Sequence, residues 1–197
     1  ENDKFVIENL NLKFSKGERV LIQGENGSGK TTLIKLLLGI YESTMGEVQY
    51  NNINIRDLDK EGIRNHIGIV SQHIFLFKGT VLENILYGQK TKTRRDVEKL
   101  ICELNLYDYI ARLPQGLDTE IIQNTGISGG QIQVLAFIRA MLSDKEVIIL
   151  DEPVSNIDIE TKAIILNILN KTKFNGILIV VSHQTEGMDF LTKVINL

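Results

Sequence analysis

The sequence predicts an α/β fold: a mainly parallel sheet with a small antiparallel β flap and an inserted helical lobe. Three observations predict it. Short β-branched, apolar runs at residues 20–23, 67–70, 147–150 and 177–181 alternate with stretches of helical period, the pattern of parallel strands joined by crossover helices. The first of these runs ends in a glycine-rich loop, Gly24-Glu25-Asn26-Gly27-Ser28-Gly29-Lys30-Thr31, which opens a helix. From Thr80 to Leu113 the period is helical, with Val97, Leu100, Ile101 and Leu104 on one face, and this stretch interrupts the strand–helix alternation.

Taken in order, residues 20–23 form a strand and 32–38 continue from the loop with helical spacing. Residues 47–50 and 53–55 flank Asn51-Asn52, a pair that tolerates the left-handed backbone of a tight hairpin and so predicts the flap. Residues 67–70 read as a buried strand, and the helical lobe follows. Ser128 is placed to cap a helix running through Ile132, Leu135, Ala136 and Ile138 to Leu142. Residues 147–150 resume the sheet, 158–169 read as a helix, and 177–181 and 193–197 read as the last two strands. No internal repeat or proline-rich linker divides the chain, and only Pro114 and Pro153 restrict its backbone hydrogen bonding. The expectation is one domain over 1–197, with 1–72 and 145–197 as the core and 73–144 as the mainly helical lobe.

With 197 residues, 43% of them hydrophobic, the chain has enough apolar surface for a sizeable core. Its net charge of −3 gives no general attraction to nucleic acid. The densest basic run, Lys90, Lys92, Arg94 and Arg95, is broken by Thr91 and Thr93 and followed by Asp96 and Glu98, so it reads as a solvated loop entering a helix. No nucleic-acid partner is expected. Cys102 is the single cysteine, which excludes an intrachain disulfide and fits a reducing compartment. No window reaches the roughly 20 apolar residues of a membrane-spanning helix. The opening at Glu1, without Met or a signal-like stretch, suggests a piece of something longer.

The glycine loop fits G-x-x-x-x-G-K-[ST], in which curled backbone N–H groups and the following helix terminus cradle phosphate oxygens. Lys30 then neutralises the β- and γ-phosphates, Thr31 offers its hydroxyl to Mg²⁺, and Thr32 is placed for the α-phosphate. Asp151 and Glu152 follow a buried strand, at the edge where open α/β sheets bind ligands. Asp151 suits Mg²⁺ held through water, and Glu152 suits orientation or deprotonation of an attacking water. Gln72, just past residues 67–70, has an amide able to meet both metal and water. A neutral His183 after residues 177–181 is able to hydrogen-bond a γ-phosphate. In Ile127-Ser128-Gly129-Gly130-Gln131, two glycines and a serine at a helix start expose N–H groups and a hydroxyl to an anion.

In this order and spacing the four strings, ending with Ser182-His183, resemble the nucleotide-binding domain of an ABC transporter, a P-loop NTPase, over nearly the whole chain. The resemblance implies binding of ATP with Mg²⁺ and hydrolysis to ADP and phosphate. It implies that Ser128, Gly129, Gly130 and Gln131, the family's signature segment with Ile127 in place of the usual leucine, complete the ATP site of a second such domain. The implied assembly is a homodimer around two ATP, with Asp158 of Ser155-Asn156-Ile157-Asp158 communicating across it. The strings Phe75-Leu76-Phe77-Lys78-Gly79-Thr80-Val81, Glu83-Asn84-Ile85 and Leu113-Pro114-Gln115-Gly116-Leu117-Asp118-Thr119 are similar to exporters that fuse a membrane domain to this one. That favours export of a peptide, lipid or drug-like molecule, with transmembrane domains in the same parent chain and the domain on the cytoplasmic face of the membrane. A soluble ABC ATPase or a degenerate regulatory domain is the alternative.

Three departures from the family pattern stand out. Ile122-Gln123-Asn124-Thr125-Gly126 replaces a segment that normally carries a glutamate and contacts the membrane domain, so it bears on coupling to transport. Ile132 and Val134 flank Gln133 where basic residues are common, implying a lost surface contact. The family's adenine-stacking aromatic is expected upstream of Glu1 and its C-terminal helix after Leu197, and neither Phe5 nor Phe14 is expected to replace that aromatic.

Overall fold

The computed structural model describes residues 5–122, 127–172 and 174–197. At its centre lie five strands: β1 (Arg19–Gln23), β4 (Ile67–Val70), β7 (Val147–Asp151), β8 (Ile177–Val181) and β9 (Lys193–Asn196). Their spatial order is β4-β7-β8-β1-β9 and every pairing is parallel. This is the arrangement expected of nearly continuous apolar strands whose connections cover both faces.

Alternation along each strand sorts the side chains into two cores. Leu21, Ile148, Leu150, Leu178 and Val180 face one layer with Val134, Phe137 and Ile138 of α6 (Gly129–Leu142) and Ile165 and Ile168 of α7 (Ile159–Lys171). Val20, Ile22, Ile149, Ile179 and Val181 face the other, with Leu33 and Ile34 of α1 (Lys30–Leu37). Each such side chain, at or near zero exposure, contributes about 1.5–3 kcal/mol. The flap pairs β2 (Gln49–Tyr50) with β3 (Ile53–Asn54), and Asn51 and Asn52 take φ 49° and 64°, the left-handed pair that a two-residue hairpin needs.

Between flap and sheet the chain forms α2 (Lys60–His66), which the sequence reading left without an element. Its local signal is the Asp59 cap, whose carboxylate accepts from the Gly62 amide, with Ile63 buried beneath. The lobe contains α3 (Val81–Leu86), α4 (Arg94–Glu103) and α5 (Tyr107–Ala111). It also holds a short antiparallel pair, β5 (Gly79–Thr80) with β6 (Glu120–Ile121), whose strands bracket the stretch that reads as helical. The lobe's apolar residues and the α6–α7 face of the sheet form one continuous core, so α6 braces the lobe against the strands. Val134, where a basic residue and a surface contact were the family expectation, is fully buried in that core.

Candidate active site

Four of the candidate segments lie at or just beyond the carboxyl end of a parallel strand. The glycine loop follows β1, Gln72 follows β4, Asp151 and Glu152 close β7, and Ser182-His183 follow β8. Because β4, β7, β8 and β1 are consecutive in the sheet, their ends meet at one edge. They line a cavity of about 480 Å³ with Val6, Asn26, Gly27, Gly29, Lys30, Thr31, Thr32, Gln72, Asp151, Glu152, Ser155, Asn156, His183 and Gln184 on its walls.

Gly29 is the N-cap of α1 at φ 97°, a left-handed conformation that a side chain would strain. Gly24 is required for space, since a Cβ there would lie 2.5 Å from Ser28 Oγ and 2.8 Å from Leu197 O. No acidic residue stands in the first turn of α1 and no side chain caps it, so the free N–H groups and the positive helix end face the cavity uncompensated. Lys30 Nζ donates to Gly24 O (2.7 Å) and Glu25 O (2.8 Å), which holds the ammonium across the loop. Ser28 Oγ is buried within the loop without a partner among the described residues.

Burial raises the Asp151 carboxyl above its ordinary value; Glu152 beside it pushes the same way and Lys30 opposes both. A cation beside Asp151 therefore has a desolvated carboxylate to stabilise. Glu152 has φ 50°, strained for a residue with a side chain, and its amide donates to Val181 O at 2.8 Å. His183 Nδ1 lies 3.0 Å from Glu152 Oε1, and since a carboxylate only accepts, Nδ1 is the nitrogen that donates in this pair. Ser182, fully buried, donates its hydroxyl toward Glu152 Oε2 at 3.4 Å. A carboxylate, an imidazole, an ammonium, an amide and a hydroxyl thus converge on one polar cleft, a set suited to orienting water beside a phosphate.

The remaining candidates lie elsewhere on the chain. Ser128, Gly129, Gly130, Gln131 and Asp158 are absent from the cavity wall. Ser128 caps α6 in a reciprocal box, its hydroxyl accepting from the Gln131 amide and its amide donating to Gln131 Oε1 at 2.8 Å. Asp158 caps α7, accepting from the Thr161 amide (2.8 Å) and hydroxyl (2.7 Å). A Cβ on Gly130 would lie 3.1 Å from Asp158 Oδ2, so these two helix starts abut. Residues 123–126 of the departing segment before Ile127 lie outside the described residues. Ser155, Asn156 and Gln184 join the cavity wall without having been singled out for it; their signal was adjacency to the Asp151-Glu152 and Ser182-His183 pairs.

A family model described as ABC transporter matches residues 7–155. The chain belongs to the ABC transporter family. It is 36% identical over 196 residues, 99% of its length, to a protein of Staphylococcus aureus strain bovine RF122 / ET3-1 named as a multidrug export ATP-binding/permease protein. A protein of the same description from Staphylococcus aureus strain NCTC 8325 / PS 47 matches to the same extent. The structure of a bacterial Atm1-family ABC exporter with ATP bound superposes over the whole chain with a TM-score of 0.86 and 28% identity. This ABC domain spans 34% of the length of the first two relatives and 35% of the Atm1-family chain, about a third in each case.

Proposed function

We propose that this domain binds ATP with Mg²⁺ in the cleft at the strand ends and hydrolyses it within a head-to-tail pair of such domains. One observation carries the reading. The cleft collects Lys30, Thr31, Thr32, Gln72, Asp151, Glu152 and His183, while Ser128 and Gly129 are exposed and Gly130 half-buried on a separate helix start, a surface suited to a second domain's nucleotide. In this reading 1–72 and 145–197 act as the ATP-binding core and 73–144 as the lobe that presents the signature.

The amides of Gly24, Glu25, Asn26, Gly27, Ser28 and Gly29 and the Lys30 ammonium take the phosphate charge, and Thr32 meets the α-phosphate. Thr31, Gln72 and Asp151 offer a hydroxyl, an amide oxygen and a carboxylate, hard oxygen donors of the kind Mg²⁺ prefers. One acidic ligand suffices when phosphate oxygens complete the shell, in keeping with no cluster of three His, Cys, Asp or Glu among the described residues. Bound there, the ion would neutralise charge developing on the phosphates. Glu152, oriented through His183 and Ser182, accepts the proton of the attacking water, and His183 steadies the γ-phosphate. Signature contacts from the partner, with Gln131 fixing Ser128 and Asp158 bracing Gly130, close the opposite side.

The relatives named as export ATP-binding/permease proteins support fusion to transmembrane domains in a longer chain, hence a place at the cytoplasmic face of a membrane and export of a peptide, lipid or drug-like molecule. Among the described residues no helix is long and apolar enough to cross a membrane. Steady-state phosphate release tests the reading. Wild-type protein should hydrolyse ATP in a Mg²⁺-dependent manner, and Glu152→Gln should bind nucleotide with turnover lowered about 10²–10⁴-fold. An unchanged rate in Glu152→Gln would remove Glu152 from the chemistry.

A further inference from the structure

One side chain joins the signature helix to the turn that carries Glu152. Gln133, on α6 just beyond the Ser128–Gln131 cap, donates from Nε2 to Pro153 O at 2.7 Å. Pro153 is buried and directly follows Glu152, whose φ of 50° is a conformation that side chains hold only when surrounding bonds impose it. Those bonds come from two sides. From the sheet, Val181 O accepts the Glu152 amide (2.8 Å). Within the turn, Ser155 donates to Glu152 O through its amide (3.3 Å) and hydroxyl (3.0 Å). The Gln133 bond is the one that reaches the turn from α6.

We infer that Gln133 is a positioning residue: through the Pro153 carbonyl it passes contacts made at Ser128–Gly130 to Glu152 of the same chain. The inference rests on the composite dimer proposed above, because Ser128 to Gly130 would touch the nucleotide of the other site. The mechanics follow from the helix. Ser128 and Gln133 sit on one hydrogen-bonded segment about 7.5 Å long, which moves as a unit. Gly130 abuts Thr161 and Asp158, so the start of α6 has no slack toward α7. A nucleotide engaging the start of α6 shifts Gln133, Gln133 shifts the Pro153 carbonyl, and the strained Glu152 changes its aim. Each glutamate is thereby set by the ATP bound in the opposite site, and the two sites fire with positive cooperativity.

The test is the ATP dependence of steady-state turnover in the full-length protein. Wild type should be sigmoidal, with a Hill coefficient above 1 and limited to about 2 by its two sites. Gln133→Met, similar in length but without a donor, should lower the Hill coefficient to about 1 and kcat about 10- to 100-fold, with the ATP concentration at half-maximal rate nearly unchanged. Gln133→Lys restores a donor on a long side chain and should recover most of the cooperativity. If Gln133→Met keeps the wild-type Hill coefficient and kcat, the link is refuted while the proposed hydrolysis stands. If wild type itself hydrolyses no ATP, the proposed function falls and this inference with it. Should Gln133→Met lower Tm and fail to fold, Gln133→Asn, too short to reach Pro153 O, carries the same two outcomes.

Discussion

Gly129 and Gly130 are neighbours in the sequence with opposite surroundings, and alanine at each position separates packing from helix propensity. A Cβ on Gly130 would lie closer than 3.0 Å to Thr161 Oγ1 and 3.1 Å from Asp158 Oδ2, whereas at Gly129 nothing lies within 4 Å. Relief at Gly130 requires Thr161 to rotate or the two helix starts to part. Rotation sacrifices the Thr161 hydroxyl bond to Asp158, and parting strains the α7 cap as a whole. Overpacking of this kind costs about 1–3 kcal/mol and loss of a cap about 1 kcal/mol. Set against this is a gain of up to about 1 kcal/mol from replacing glycine in the first turn of a helix. Gly130→Ala should therefore lose about 1–3 kcal/mol, a fall of about 2–12 °C in Tm for a domain of this size. Gly129→Ala should leave Tm unchanged or raise it slightly. Thermal melts followed by circular dichroism decide the matter, and equal Tm values for the two variants would refute the close packing of α6 on α7.

Three further outcomes follow from the same geometry. Lys30→Ala removes the ammonium that bridges Gly24 O and Glu25 O and should weaken ATP binding at least tenfold, measured by titration calorimetry; unchanged affinity would place the phosphates elsewhere. Thr161 donors hold the Asp158 carboxyl below its ordinary value of 3.8, so the folded chain binds fewer protons there than the unfolded chain. Stability from this cap is complete above 3.8 and is lost as pH falls through the lower folded value; the Tm gap between wild type and Asp158→Asn should hold at neutral pH and shrink in acid. A gap independent of pH would show that the carboxylate charge plays no part. Phe137→Ala empties a fully buried position between the lobe and the sheet and should cost about 3–5 kcal/mol in urea unfolding, and a value below 1 kcal/mol would contradict the continuous core.

The parallel strands were legible because an apolar run of four or five residues between glycine or polar turns has few other uses, and β4 and β8 fall on the residues expected of them. Asn51-Asn52 announced the flap through the one property it needed, tolerance of positive φ. The helix α2 escaped because it is short and contributes chiefly Ile63 to the core, too little for a period to register. The pair of β5 with β6 escaped because two-residue strands distant in sequence leave no local pattern. At the site, the glycine loop and the Asp151-Glu152 pair stood out by their chemistry, whereas Gln72 and His183 were singled out only beside those strings. The Ser182 contact, the Gln133 bond and the abutment of Gly130 on Asp158 depend on tertiary packing, and no spacing encodes them. Within the basic run at 90–95, Lys92 pairs with Asp144 at 2.7 Å and Arg94 with Asp118.

The central claim is that ATP joins two copies through sites that neither completes alone, and the solution mass of the Glu152→Gln protein tests it most directly. Light scattering should report a monomer without nucleotide and a dimer with ATP and Mg²⁺, since any ligand that binds only the paired state draws the equilibrium toward it. A protein that binds ATP and remains a monomer at every concentration would contradict the composite site.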